Sequence, residues 1–250
     1  MSILVSGDFH ANVANELQII TKFILVNKYG KDIYDSIKFH IILGDGGFLW
    51  PGNHAADLAN YQEFSQRPFP VLCVIGNHEP ILGIKNMPEM DIGIGETVYP
   101  IQKDPFVAYL KRGKVYTIDG FSVLVLGGAL SIDKDNRIPG LSWWKNEYWS
   151  EKEKQDVFKL LENEHIFDYV FSHTGPQRIN KEIFGKESFS YHDKFHDEVA
   201  LLNDEVDKKI TCREWLCGHW HQDKYHYDER MKRGYQYLYY TTKILSKDYW

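Results

Sequence analysis

Four short apolar runs in this chain end in glycine followed by a polar residue able to bind a cation: ILVSGD at 3–8, HIILGD at 40–45, VLCVIGN at 71–77 and EWLCGH at 214–219. A fifth, FDYVFSH at 167–173, ends in histidine without the glycine. Runs of four to eight apolar residues bounded by turn signals read as buried strands, the kind found in parallel sheets. Glycine at such an exit allows a tight turn and close backbone approach. In open α/β sheets, ligands bind beyond the carboxyl ends of the strands. Five separate strand exits therefore carry Asp8, His10, Asp45, Asn77, His78, Glu79, His173, His219 and His221 toward one edge.

The segments between the strands support the same architecture. Residues 11–27 have helical periodicity through Val13, Leu17, Ile20, Ile24 and Leu25, with Gly30 as a stop. Residues 55–66 suit a second helix, so the first part of the chain reads as βαβ units. Residues 80–114, rich in Gly, Pro and Met, read as an irregular insertion. KVYTIDGFSVLVL reads as a hairpin turning at Asp119–Gly120. Residues 130–149 form a loop with a dense aromatic cluster. Ser150 and Glu153 form a capping box opening a helix to Glu164. Residues 193–208 favour a helix, and YQYLYYTTK reads as a last strand. No repeat or linker interrupts the 250 residues, so one α/β domain over 1–250 is expected.

Taken singly, each polar residue has an ordinary explanation, as a helix cap, a turn or a satisfied strand-end histidine. The joint pattern points to metal. Asp, Asn and His without thiolates suit Mn²⁺, Fe, Zn²⁺ or Ni²⁺. Two divalent ions facing two carboxylates keep a surplus of positive charge, which attracts phosphate and activates water.

The ordered set GDFH, GD, GNHE, SH and GHWH, spanning 7–221, resembles the calcineurin-like metallophosphoesterases. The GGAL…SWWKNE segment is similar to bacterial and phage members. The resemblance implies a four-layer α/β/β/α sandwich of two mixed sheets flanked by helices. It implies that Asp8, His10 and His221 hold one metal, that Asn77, His173 and His219 hold a second, and that Asp45 bridges them. It implies hydrolysis of a phosphate ester by metal-activated hydroxide. His78 would be catalytic, as a general acid or as a stabiliser of transition-state charge, with Glu79 a candidate to orient it. Two departures matter. Ala11 stands where the family usually has Gly, and no Arg follows Asp45, unlike the Ser/Thr protein phosphatases. The missing Arg and the presence of His10 favour a small phosphodiester or nucleotide. Phosphomonoesterase or Ser/Thr phosphatase-like activity, or a non-catalytic metal-binding interaction module, are the alternatives.

Other features bound the partners. A net charge of −6 and a pI near 6.0 disfavour long nucleic acid as substrate. No apolar run is long enough for a membrane span. Three cysteines without a C-x-x-C pair fit a reducing cytoplasm and buried thiols. Arg137, and with less support Lys134, are candidate phosphate contacts. Trp143, Trp144 and Trp149 are candidates for a wall that stacks a nucleobase. His192 and His196, four apart, form a weak zinc signal. Oligomeric state is not legible.

Overall fold

The computed structural model describes residues 1–10, 21–52, 54–185 and 197–247. In chain order its strands are β1 (Ser2–Ser6), β2 (Ile37–Ile42), β3 (Val71–Cys73), β4 (Val98–Lys103), β5 (Phe106–Leu110), β6 (Lys114–Ile118), β7 (Phe121–Leu126), β8 (Ile166–Ser172), β9 (Thr211–Cys217), β10 (Lys224–Asp228), β11 (Arg233–Tyr237) and β12 (Thr242–Ser246). The helices are α1 (Lys22–Tyr29), α2 (Lys31–Ser36), α3 (His54–Phe64), α4 (Ile81–Lys85), α5 (Glu151–Asn163), α6 (Gln177–Phe184) and α7 (Glu198–Asp207).

The strands form two six-stranded sheets, in the orders β12-β1-β2-β3-β5-β4 and β10-β11-β9-β8-β7-β6. In each, four central strands run parallel and an antiparallel strand closes either side. Central strands are apolar on both faces because both are covered. The alternation is explicit in β1 and its neighbours. Ile3, Val5, Ile41 and Leu72 face Val123, Val125, Tyr169, Phe171 and Leu216 of the other sheet. Residues of opposite parity, Ile42, Val71 and Cys73, pack under Phe64 of α3 and Ile81 of α4. Leu4 meets Leu25 of α1 and Tyr34 of α2. On the second sheet Leu124, Leu126, Val170 and Trp215 pack under Val157 and Leu161 of α5, Ile179 of α6 and Val206 of α7. The result is the four-layer sandwich, helices–sheet–sheet–helices.

Local signals place several elements as expected. Gly30 caps α1 with φ 89°. Asp119 and Gly120, at φ 48° and 78°, make the hairpin turn between β6 and β7. Ser150 and Glu153 form the capping box of α5. Two expectations are corrected. Residues 80–114 are not irregular throughout: they hold α4, β4 and β5, and β5 continues the first sheet parallel to β3. The closing stretch is two strands rather than one, β11 in the second sheet and β12 crossing to pair with β1. The strand β10, with exposed Tyr225 and Tyr227, escaped notice because an edge strand has no fully apolar run. His192, His196 and most of the helical pattern at 11–27 lie outside the described residues. All three cysteines are buried and free.

Candidate metal centre

The exits of β1, β2, β3, β8 and β9 converge at one edge of the sandwich, three from the first sheet and two from the second. Cross-ties between exit loops fix them. The backbone N–H groups of Phe9 and His10 donate to the Asp45 carbonyl at 3.0 and 2.7 Å, and Gly218 N–H donates to the His173 carbonyl at 2.9 Å. The turns are sharp. His10, Asp45, His219 and His221 all sit in the left-handed region, with φ of 47°, 47°, 67° and 51°. Each such residue costs about 1–3 kcal/mol and persists only where the surroundings over-determine it. GHWH is therefore not an extended segment. The left-handed backbone at His219 and His221, rather than the alternation of an extended chain, aims the two rings.

The two buried aspartates are wired alike. Asp8 Oδ1 accepts the His219 N–H at 2.8 Å, and Asp45 Oδ1 accepts the His78 N–H at 3.0 Å. Each Oδ2 is thereby turned inward onto imidazole nitrogens. Asp8 Oδ2 faces His221 Nε2 at 3.1 Å and His10 Nε2 at 3.9 Å. Asp45 Oδ2 faces His173 Nε2 at 3.3 Å, His10 Nε2 at 3.6 Å and His78 Nε2 at 3.7 Å. His10 and His221 bring their Nε2 atoms within 3.0 Å of each other. His173 donates from Nδ1 to the Leu43 carbonyl at 2.9 Å, and its Nε2 lies 2.9 Å from Asn77 Oδ1. The His219 ring packs edge-on to His173 at 4.9 Å. Gly44 and Gly218 are required by this crowding: a Cβ on Gly44 would run into the His173 ring, and one on Gly218 into the Asp8 carboxylate.

Charge follows geometry. Burial opposes ionisation of Asp8 and Asp45, yet His173 and the other imidazoles outweigh it and hold both carboxyls low. Burial likewise works against the charge on His173, but Asp45 and Asp8 raise it to about 10. Burial, assisted by His173, lowers His219 to about 3. His78 is lowered to about 4 by burial, with Arg137 assisting and Asp45 opposing.

The donor set fits divalent metal. Asp8 Oδ2 is fully buried and accepts no hydrogen bond of good geometry, the condition of an oxygen whose partner is a cation. Among the described residues, two groups have ligand atoms mutually within 4.8 Å: Asp8, His10 and His221, and His10, Asp45 and His78. His173 Nε2 lies near two further candidate donors, Asp45 Oδ2 at 3.3 Å and Asn77 Oδ1 at 2.9 Å. The donors are oxygen and imidazole nitrogen only, the chemistry expected for Mn²⁺, Fe, Zn²⁺ or Ni²⁺.

The centre forms one wall of a cavity of about 480 Å³. Arg137 lines it too, with its guanidinium nitrogens 3.1 and 2.7 Å from the two ring nitrogens of His78 and an ion pair to Asp133 at 2.7 Å. The other nominated contacts lie elsewhere. Trp143 and Trp144 are half-buried in the loop without lining this cavity, and Lys134 is exposed. Trp149 is core: it is 5% exposed and its indole N–H donates to the Gly127 carbonyl at 2.7 Å. Glu79 accepts from Gly76 N–H at 2.6 Å and Gly47 N–H at 3.5 Å, so it braces two exit loops; the groups against the His78 ring are Arg137 and Trp50. Burial and Asp45 raise Glu79 to about 8. Trp220 packs rather than reaching the centre, stacked on Phe184 at 4.3 Å.

Sequence reasoning overlooked Trp50, which stacks on His78 at 5.1 Å and meets His10 edge-on at 5.6 Å. Its only signal is its place in the loop after Asp45. It also overlooked Ser131 and Glu147, which lie behind Asn77, and Gln177, Asn180 and Asp197, buried polar residues along the far side of the cavity.

A two-sheet α/β sandwich with histidines and carboxylates converging at its strand exits defines a class of α/β protein with a candidate metal centre. The family model for calcineurin-like phosphoesterases matches residues 1–223, and the chain belongs to that family. One solved crystal structure aligns with 94% of this chain and 89% of its own, at 11% identity and a TM-score of 0.53. The phosphopantetheinyl hydrolase PptH from Mycobacterium tuberculosis aligns over 96% and 89%, at 11% identity and a TM-score of 0.46. No curated protein matches by sequence. Among the described residues no helix is long and apolar enough to cross a membrane.

Proposed function

We propose that this chain is a dimetal phosphoesterase that hydrolyses a small phosphodiester or nucleotide. The observation that carries this is the pair of aspartates whose Oδ2 atoms are turned onto imidazoles from separate loops, beside a cavity lined by Asp45, His78 and Arg137. Asp8, His10 and His221 are assigned to one ion, Asn77, His173 and His219 to the other, and Asp45 to both. Two bound ions, Mn²⁺ by our choice, would polarise the phosphoryl oxygens and make water nucleophilic at neutral pH.

The chain's own residues do the rest. Arg137 offers a planar, permanent positive charge to phosphate oxygens, and Asp133 holds it in place. His78 is placed to meet the leaving oxygen. A second positive charge beside Arg137 is costly, so a neutral ring that donates one N–H to developing charge is the role this arrangement favours. Trp50 fixes that ring from its face. A volume of about 480 Å³ suits a mononucleotide-sized ligand, and the three free cysteines fit a cytoplasmic setting.

The test is hydrolysis of a chromogenic phosphodiester and the matching monoester by Mn²⁺-loaded protein. Diester cleavage that exceeds monoester cleavage is expected. Asp45→Asn should lose metal and activity together. Two bound ions with neither ester cleaved, nor any nucleotide in a screen, would turn the assignment toward a binding module.

A further inference from the structure

Asn77 offers an oxygen and an NH₂ of nearly the same shape, and only the oxygen can bind a cation. Something must choose which one faces the centre. Asn77 Nδ2 donates to Ser131 Oγ at 3.0 Å. Ser131 Oγ in turn donates its one hydrogen to Glu147 Oε2 at 2.5 Å, and Ser131 N–H donates to Glu147 Oε1 at 3.2 Å. All three side chains are buried, with Asn77, Ser131 and Glu147 exposed by 2%, 1% and 0%. With its hydrogen committed to Glu147, the serine shows Asn77 only lone pairs. The amide must then answer with NH₂, and Oδ1 is left 2.9 Å from His173 Nε2.

We infer that Glu147 and Ser131 are positioning residues that hold the Asn77 amide with its oxygen toward the second metal, an inference that rests on the dimetal proposal above. The carboxylate is itself fixed. Arg112 donates to the Glu147 and Tyr148 carbonyls at 3.2 and 3.0 Å. The GGALS run at 127–131 passes so close that a Cβ on Gly128 would strike the Glu147 carbonyl. Both contacts from Ser131 require an acceptor, and only a carboxylate supplies two. In Glu147→Gln one acceptor becomes a donor. The serine hydrogen is then free to turn to Asn77, and the amide loses its reason to keep one orientation.

Calorimetric titration with MnCl₂, with thermal melts on the same samples, tests the assignment. Wild type should take up two ions, and Asn77→Ala should lose one of them. Glu147→Gln and Ser131→Ala should weaken that same site by about 10–100-fold, as removing an outer-shell partner does, and leave the other unchanged. Ser131→Thr, which keeps the hydroxyl, should restore it. A merely structural role would lower the melting temperature and weaken both sites alike, which would overturn the inference. Wild-type titrations from both Glu147→Gln and Ser131→Ala would overturn it and leave the metal ligands standing. A wild-type titration from Asn77→Ala would overturn the ligand assignment and the inference with it. Should Glu147→Gln fail to fold, Ser131→Ala, which deletes only a hydroxyl, decides the matter.

Discussion

Asp8 and Asp45 each spend one oxygen on a backbone N–H from a neighbouring loop, and that expenditure aims the other. The same crowding makes glycine indispensable beside them. Gly44 sits at φ 92° with the His173 ring where a Cβ would be. Gly44→Ala is expected to destabilise by more than about 1 kcal/mol and to reduce Mn²⁺ uptake, read by urea unfolding and by titration. His78→Ala is expected to keep both ions while turnover falls by about 10²–10⁴-fold, measured as kcat against metal content. His40 gives a prediction away from the centre. Burial, with Arg67 assisting, holds it well below 6.5, and it shares a hydrogen bond of 2.9 Å with Ser6 Oγ. Below pH 6.5 the unfolded chain takes up a proton there that the folded chain refuses. Its stabilising contribution is therefore complete above pH 6.5 and declines as pH falls, by at most about 1.4 kcal/mol per pH unit. His40→Gln should flatten the slope of unfolding free energy between pH 5 and 6.5; an unchanged slope would remove His40 as its source. At this scale the sequence was most legible where a residue announces itself by type and position: each of the seven nominated ligands stands at a strand exit. Trp50, Ser131 and Glu147 were not legible, because they act by lying against another residue from a distant part of the chain.

Elements were readable in proportion to how local their causes are. The capping box at Ser150 and the turn at Asp119–Gly120 are written in adjacent residues. The strands β4 and β5 were hidden by the Gly and Pro around them, and β5 owes its place to pairing with β3, more than thirty residues earlier. The capping box also does more than the motif reveals. Glu153 accepts from Arg112 at 2.9 and 3.0 Å and pairs with Lys85 of α4. Ser150→Ala should cost about 1 kcal/mol, an ordinary cap. Glu153→Ala should cost roughly 2 kcal/mol, discounted because that side chain is partly exposed, since it leaves the buried Arg112 with backbone carbonyls but no carboxylate. Urea denaturation of the two variants decides the order, and equal losses would mean that the Arg112 contact contributes nothing.

For the whole molecule, the four layers follow from which faces are apolar, and the resemblance supplied what periodicity lacks, the division of the strands between two sheets. Metal removal should act globally. At an ion concentration a hundredfold above its Kd, a bound ion stabilises by about 2.7 kcal/mol, so chelator should lower the melting temperature by roughly 5–11 °C at about 2–4 °C per kcal/mol for a chain of this size. A shift below about 1 °C would mean that little metal was bound. The position of the centre gives this a mechanical meaning. Asp8, Asp45 and Asn77 leave the first sheet, and His173, His219 and His221 leave the second. Two ions held among them would act as a clasp across the seam of the sandwich, and any sliding of one sheet over the other would pull the clasp out of shape. The apolar filling between the sheets, from Ile3 and Leu72 to Val125 and Phe171, then serves as the gauge block that sets the spacing of the ligands. Metal preference in this protein would be tunable from its dry interior, by residues that never see the metal.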